Sequence, residues 1–209
     1  LAMYKRGGVS VAFDGLLIHG PRAMKADSRR KRAFVSVEYP LLGEMRDRGS
    51  HKTAWLAGKV PALDGGRPWG DRPAFETDIA LVPVFPGMRP AFLDAVAAAA
   101  PKAVVLEGFG LGGVPCTPGG DGNLLPAIRR GIEAGIPFVL RTQAPFGGTD
   151  PFVYEVGRKA LDLGVIDARD MTREALMVKL MLLLAGKEKL KEKLEERLHA
   201  GVCDEIARL

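Results

Sequence analysis

The most distinctive chemical pattern in this sequence is a glycine-rich segment, Gly108-Phe-Gly110-Leu-Gly112-Gly113, directly after an apolar run. Its spacing satisfies G-x-G-x-x-G, in which glycines let the backbone approach a dinucleotide pyrophosphate at a helix N-terminus. Pro115 and Pro118 follow the segment and delay the helix that such a site requires. We therefore expect no cofactor, and a glycine-rich loop at the carboxyl end of a strand, where open α/β sheets bind ligands. A nucleotide-binding oxidoreductase stays as an alternative that depends on this motif alone.

Other residues that could carry catalysis are sparse. The sequence has three histidines, His19, His51 and His199, and no G-x-S-x-G nucleophile elbow. Cys116 and Cys203 form no C-x-x-C pair, and no His, Cys and Asp cluster has the spacing of a metal site. A lone cysteine without a placed histidine is usually inert, so Cys116 is a weak candidate nucleophile. The residues alone predict neither a catalytic apparatus nor a metal site.

Charge and composition are typical of an ordinary globular protein. Of the 209 residues, 47% are hydrophobic and 26% are charged, with a formal net charge of +5. No apolar run is long enough to span a bilayer, and two cysteines without a framework favour a reducing cytoplasm. The run Arg29-Arg30-Lys31-Arg32 has no interleaved aromatic residues, which favours a solvated face over a nucleic-acid site. We expect a cytoplasmic protein with neither a membrane nor a nucleic acid as partner.

The arrangement of apolar runs predicts the fold class. Asp14-Gly15 separates two short apolar runs and predicts a β-hairpin over residues 9–18, ahead of a polar basic stretch at 22–32 and a strand at 33–37. Residues 46–77 are rich in Gly, Pro, Asp and Arg, which indicates a linker and a domain boundary near residue 77. Strands and helices then alternate: strands at 79–85, 103–106 and 137–140, and helices at 90–99, 124–133, 153–163, 172–185 and 187–199. This alternation predicts an α/β fold, a parallel sheet between two helical layers.

The order of several short motifs resembles a known family. Early in the chain stand Gly20-Pro-Arg22-Ala-Met-Lys25 and Ala33-Phe-Val-Ser-Val37. The later motifs are Leu106-Glu-Gly108, Gly122-Asn123-Leu-Leu-Pro, Gly135-Ile-Pro, Thr142-Gln143, Tyr154-Glu-Val-Gly157, Gly164-Val-Ile166, Asp170-Met171-Thr172 and Lys179-Leu180. This ordered set resembles the L-asparaginases, in particular their cytoplasmic type I branch. That branch also includes the asparaginase-like subunit of the archaeal glutamyl-tRNA amidotransferase.

The resemblance implies a two-domain protein whose catalytic residues lie outside this sequence. Residues 1–77 would complete an N-terminal domain and residues 78–209 would form a smaller C-terminal domain. Family enzymes attack the side-chain amide of asparagine with a threonine and pass through an acyl-enzyme. The T-G-G-T-I and H-G-T-D-T segments that carry the two threonines, and the lysine after them, do not occur in these 209 residues. We therefore expect no catalytic residue in this chain, and an N-terminal segment or separate chain as its partner.

The resemblance also implies residues that bind the amino-acid substrate. The α-ammonium group would be held at Asn123 of Gly122-Asn123-Leu124, or alternatively at Gly113. Tyr154 and Asp150 occupy the region that family members contribute to a neighbouring subunit, which implies a homodimer or homotetramer. Ala144 stands where type I enzymes carry a cysteine after Thr-Gln, which argues against a regulatory asparagine site. The function implied is hydrolysis of asparagine to aspartate and ammonia. A subunit of a tRNA-dependent amidotransferase and a non-catalytic fragment are the alternatives.

Overall fold

The computed structural model of the protein describes residues 9–44, 74–153, 155–185, 193–201 and 205–206. Its first part is built from short antiparallel strands. Strand β1 (Ser10–Phe13) pairs with β2 (Leu16–His19), and the turn residues Asp14 and Gly15 have φ angles of 44° and 78°. Positive φ at both turn residues is the geometry that an Asp-Gly hairpin favours, so the predicted hairpin is confirmed.

The segment predicted as a polar basic stretch contains structure that the sequence pattern did not predict. Residues Gly20–Arg22 form a single turn of 3-10 helix, and β3 (Ala23–Lys25) pairs antiparallel with β4 (Phe34–Ser36). The strand expected at 33–37 is therefore present as β4, and the basic residues form the connection of a second hairpin. The two-residue strand β5 (Gly43–Glu44) adds to the other side of β2. The predicted linker lies mostly outside the described residues.

The second part is the predicted alternation of strands and helices. A parallel sheet has the strand order β6-β7-β8-β9, and the helices connect or follow its strands. The strands are β6 (Ile79–Pro83), β7 (Ala103–Gly108), β8 (Phe138–Thr142) and β9 (Ile166–Asp167). The helices are α1 (Pro90–Ala98), α2 (Leu125–Glu133), α3 (Glu155–Leu161), α4 (Arg173–Leu184) and α5 (Leu194–His199). The α/β class is confirmed, whereas β9 was not predicted.

Both faces of the sheet are covered, as a parallel sheet requires. Val104 and Leu106 of β7 belong to a buried apolar cluster that includes Leu93 of α1 and Ile128 of α2. Val105, which points to the opposite face, belongs to a second cluster. That second cluster includes Leu176 and Leu180 of α4 and Leu198 of α5. The sheet therefore lies between two helical layers. Because its strands are parallel, their carboxyl ends lie at the same edge of the sheet, where the connecting loops begin.

The helix boundaries follow the capping signals in the sequence. The Thr172 hydroxyl accepts a hydrogen bond from the Ala175 backbone N–H at 3.1 Å, which caps α4 as predicted. Helix α3 is shorter than the predicted 153–163. The described part of the last predicted helix is α5, because residues 186–192 lie outside the described chain.

Candidate functional site

The glycine-rich loop lies at the carboxyl edge of the parallel sheet, directly after β7. Phe109 and Gly113 close it with two backbone hydrogen bonds, from Phe109 N to Gly113 O at 2.9 Å and from Gly113 N to Phe109 O at 2.6 Å. A Cβ on Gly108 would lie 2.9 Å from the backbone of Gly112 and Gly113, and Gly112 has a φ of 100°. The tight turn itself therefore explains the glycines, and no helix begins until Leu125, which agrees with the expectation of a loop.

Two polar residues at the end of β8, Thr142 and Gln143, hold this loop in place. The Thr142 hydroxyl donates to the Gly110 carbonyl and accepts from the Ala144 N–H at 2.9 Å. The Gln143 backbone N–H donates to the Gly108 carbonyl at 3.0 Å, and its side-chain amide donates to the Glu107 carbonyl at 2.8 Å. In the sequence, Thr142-Gln143 stood out only as a motif. The structure gives it a role, since the end of β8 positions the loop that follows β7.

A buried ion cluster lies beneath the same edge. Glu107 of β7 and Arg141 of β8 are partners in the strand register and form a salt bridge, at 2% and 5% exposure. Arg173 at the start of α4 adds a two-pronged contact, from Nε to Oε1 at 2.7 Å and from Nη2 to Oε2 at 2.8 Å. Within the described chain, Nε of Arg141 has no hydrogen-bond acceptor. One carboxylate thus accepts hydrogen bonds from two guanidinium groups, and the nearby carboxylate of Glu174 also acts on both of them.

The environment of this cluster shifts the pKa of both arginines. Burial lowers the pKa of Arg141, and the carboxylate of Glu107 opposes that effect. The hydrogen bonds to Glu107 raise the pKa of Arg173, which is half exposed. The sequence reasoning missed all three residues. A usable signal was present, because Glu107 and Arg141 interrupt two apolar runs at equivalent positions in consecutive strands.

A cleft of about 680 Å³ lies between the segment that follows β8 and the end of β9, and both charged and apolar residues line it. Thr149 donates its hydroxyl proton to the carboxylate of Asp167, which also accepts the Arg169 backbone N–H at 2.9 Å. The His199 Nε2 lies 2.7 Å from the Asp167 carbonyl oxygen, so it must carry a proton and donate it. Asp150 lines the same cleft, and its backbone N–H donates to Leu111 O of the glycine-rich loop at 3.1 Å. The cleft therefore offers carboxylate acceptors that suit an ammonium group.

The structure brings some of the predicted substrate-binding residues together. Gly113 closes the glycine-rich loop, and Asp150 is tied to that loop through Leu111. Asn123 lies at the start of α2, where its side-chain oxygen accepts the Leu125 backbone N–H at 3.2 Å, and it lines a separate groove with Arg129. Tyr154 lies outside the described residues. The roles of these four residues remain predictions.

Other candidate groups do not form a reactive centre in the described parts of the chain. Cys116 is buried as a free thiol, and Cys203 lies outside the described residues. No group of three or more His, Cys, Asp and Glu side chains there could hold a metal ion. None of the helices in these parts is both long enough and apolar enough to cross a membrane.

The parallel sheet, its two helical layers and the loop at its carboxyl edge define an α/β domain of the three-layer class. Residues 78–196 match the model of the glutaminase/asparaginase C-terminal domain, and the chain belongs to this family. It is 37% identical to L-asparaginase from Thermococcus kodakarensis over 93% of this chain and 56% of the relative. It is also 33% identical to a glutamyl-tRNA(Gln) amidotransferase subunit from Methanopyrus kandleri, over 96% of this chain and 44% of the relative.

Solved structures give the same picture of the fold. The thermostable L-asparaginase of Thermococcus kodakarensis superposes with a TM-score of 0.83 at 33% identity, covering 97% of this chain and 58% of that one. L-asparaginase I from Vibrio cholerae superposes with a TM-score of 0.73 at 24% identity, covering 95% of this chain and 57% of that one, which supports the fold alone. The chain spans about half the length of these relatives.

Proposed function

We propose that this chain supplies the C-terminal portion of a cytoplasmic L-asparaginase that converts L-asparagine to L-aspartate and ammonia. The observation that carries the proposal is its 37% identity to an L-asparaginase over 93% of the chain. The hydroxyl of a threonine from a preceding segment attacks the side-chain amide, ammonia leaves, and water hydrolyses the acyl-enzyme. Residues 1–77 belong to the N-terminal domain and residues 78–209 to the C-terminal domain. By itself, the 209-residue chain has no asparaginase activity.

The contribution of this chain is to hold the substrate. An α-ammonium group has only donors to offer, so it needs oxygen acceptors. The loop carbonyls near Gly113 and the carboxylate of Asp150 are such acceptors, and they lie on connected segments. The Asn123 amide oxygen is a second candidate. We propose that these groups, with Tyr154, act at a site between two copies in a homodimer or homotetramer.

A subunit of a tRNA-dependent amidotransferase is the second candidate function. The identity to the amidotransferase subunit from Methanopyrus kandleri, 33% over 96% of the chain, favours it. The two functions differ in what happens to ammonia. A free asparaginase releases ammonia from asparagine into solution, whereas an amidotransferase passes it to an aminoacyl-tRNA.

Complementation distinguishes the two functions. The chain is co-expressed with the N-terminal part of the Thermococcus kodakarensis enzyme, and ammonia release from L-asparagine is measured without tRNA. We expect turnover that depends on both pieces. Activity that appears only with a glutamyl-tRNA acceptor would favour the amidotransferase function instead.

Substitutions at Asn123 test its role in substrate binding. Because its side-chain oxygen also accepts the Leu125 backbone N–H, Asn123→Ala loses both this hydrogen bond, at about 1 kcal/mol of stability, and the candidate acceptor. Asn123→Ser keeps a side-chain oxygen near the Leu125 N–H but shortens the side chain, which makes it the matched control for stability. In the complemented enzyme we expect both variants to lower kcat/KM for asparagine by about 10- to 100-fold, as for a lost hydrogen bond to a charged group. An unchanged kcat/KM in both Asn123 variants would indicate that the substrate's ammonium group binds at the loop near Gly113 instead.

A further inference from the structure

The excess positive charge of the chain is concentrated in eight residues. Residues 25–32 contain five cationic side chains and one carboxylate, Asp27, so their net charge is 5 − 1 = +4. The whole chain has a net charge of +5, and the other 201 residues are therefore close to neutral. The cationic residues of this basic tip are Lys25, Arg29, Arg30, Lys31 and Arg32.

Backbone hydrogen bonds shape the basic tip, and its cationic side chains are exposed to solvent. The tip connects β3 to β4, and the carboxylate of Asp27 accepts the backbone N–H groups of Arg29 and Arg30 at 2.7 and 2.9 Å. These bonds lower the pKa of Asp27. The Arg30 side chain is 84% exposed, and its Nε lies 3.3 Å from Oδ2 of Asp27. Among the described residues, Lys25, Arg29 and Lys31 have no carboxylate partner, so their charges face solvent.

An aromatic pair lies on the same surface as the basic tip. The rings of Phe13 and Phe34 are 5.0 Å apart, and Phe13 is 42% exposed. Register pairs Phe13 with Leu16 and Leu16 with Glu44, which places these three side chains on one face of the sheet. The guanidinium of Arg32 binds Glu44 at 3.1 Å on that face. The fold therefore adds the neighbouring aromatic rings that the sequence spacing lacked.

We propose that the basic tip and the Phe13–Phe34 pair bind single-stranded nucleic acid. Arginine side chains contact successive phosphates, and an exposed ring stacks on a base that is not paired in a duplex. An anionic lipid surface would use the same charges but has no base to stack on Phe13. This binding site is independent of the proposed asparaginase activity and lies on different elements from the glycine-rich loop.

Fluorescence anisotropy with a labelled oligothymidylate of about 20 nucleotides tests the proposal, and it is measured on the chain complemented with the N-terminal segment, which completes the domain that carries β1. The variant Arg29→Ser/Arg30→Ser/Lys31→Ser keeps the Asp27 backbone contacts and removes three charges from the basic tip. For single strands, the slope of the logarithm of the binding constant against the logarithm of the salt concentration has a magnitude of about 0.7 per phosphate contact. Three lost contacts should therefore reduce the magnitude of this slope by about 2. The matched control, Arg89→Ser/Lys102→Ser/Arg158→Ser, removes three exposed charges elsewhere and keeps the wild-type slope.

The role of the aromatic pair is tested separately with Phe13→Leu. We expect about tenfold weaker binding to oligothymidylate with an unchanged salt slope, and no change on an abasic strand of equal length. Thermal melts of each variant establish that it is folded. The proposal is overturned by absence of binding, by an equal effect of the control triple, by equal binding of the abasic strand, or by preferential displacement with phosphatidylserine vesicles.

Discussion

Arg22 and Asp170 are 148 residues apart in sequence, yet Nη1 of Arg22 lies 2.8 Å from Oδ2 of Asp170. The Arg22 side chain is 2% exposed and lies over the ring of Tyr39, with 5.7 Å between the guanidinium carbon and the ring centroid. The neighbouring Pro21 carbonyl accepts the Thr172 hydroxyl proton at 2.9 Å. These contacts fix the 3-10 turn Gly20–Arg22 to the loop between β9 and α4, which borders the cleft of about 680 Å³.

Removing the carboxylate of this pair should destabilise the chain. Asp170→Asn removes the carboxylate charge that the buried Arg22 guanidinium contacts at 2.8 Å, and we expect a loss of about 3 kcal/mol in the free energy of unfolding. Asp94→Asn is the matched control, because the Asp94–Arg130 pair is exposed on both sides and should cost about 1 kcal/mol or less. Urea unfolding measures both. Equal losses in the two variants would contradict a special role for the Arg22 contact.

The parts of the fold that sequence could predict are those with local signals. Asp14-Gly15 encodes its hairpin through backbone preferences, and Thr172 marks the start of α4 by capping it. Strand β9 has two residues and β3 has three, which is too few for a period-2 pattern. The burial of Arg22 depends on a partner 148 residues away, so no window of sequence contains it.

The same distinction applies to the candidate site. The glycine-rich loop was predictable, since glycines that follow an apolar run and precede prolines disfavour both a helix and a strand at that position. Glu107 and Arg141 left a signal in the sequence as charged residues within two apolar runs, but their direct pairing also depends on the register of two strands joined through a helix. The family resemblance predicted Asn123 as a ligand-binding residue, and the structure adds its hydrogen bond from the Leu125 backbone N–H, which no motif encodes.

In the buried ion cluster of Glu107, Arg141 and Arg173, only the loss of the half-exposed Arg173 should leave the stability of the chain nearly unchanged. Glu107→Gln leaves Arg141 charged and buried, and we expect a loss of about 3–5 kcal/mol. Arg173→Gln is the matched control, because Glu107 keeps Arg141 and water replaces a half-exposed side chain, at about 1 kcal/mol. The double variant Glu107→Leu/Arg141→Leu should recover much of the loss in urea unfolding. A double variant less stable than Glu107→Gln would contradict this explanation.

Packing between α2 and β8 predicts an unusual sign for a glycine substitution. Alanine in a helix normally stabilises by about 0.5–1 kcal/mol relative to glycine. A Cβ on Gly131 would lie 2.7 Å from Cζ of Phe138, so Gly131→Ala should destabilise by about 1–2 kcal/mol. Phe138→Leu should rescue Gly131→Ala in thermal melts, since it removes the clashing ring. At Gly157 the close neighbour is the backbone of Pro151, so no side-chain substitution should rescue Gly157→Ala. A more stable protein after Gly131→Ala alone would contradict the close approach between Gly131 and the Phe138 ring.

In the proposed enzyme, this chain binds the amino acid and a preceding segment supplies the nucleophile. Ammonia release from L-asparagine by the purified 209-residue chain, with its intact mass verified under denaturing conditions, tests this division of roles most directly. We expect a rate equal to that of buffer for the chain alone, and turnover once the N-terminal segment with its two threonine motifs is added. Ammonia release by the verified chain alone would overturn the proposal and direct the search for a nucleophile to Cys116 and Thr117.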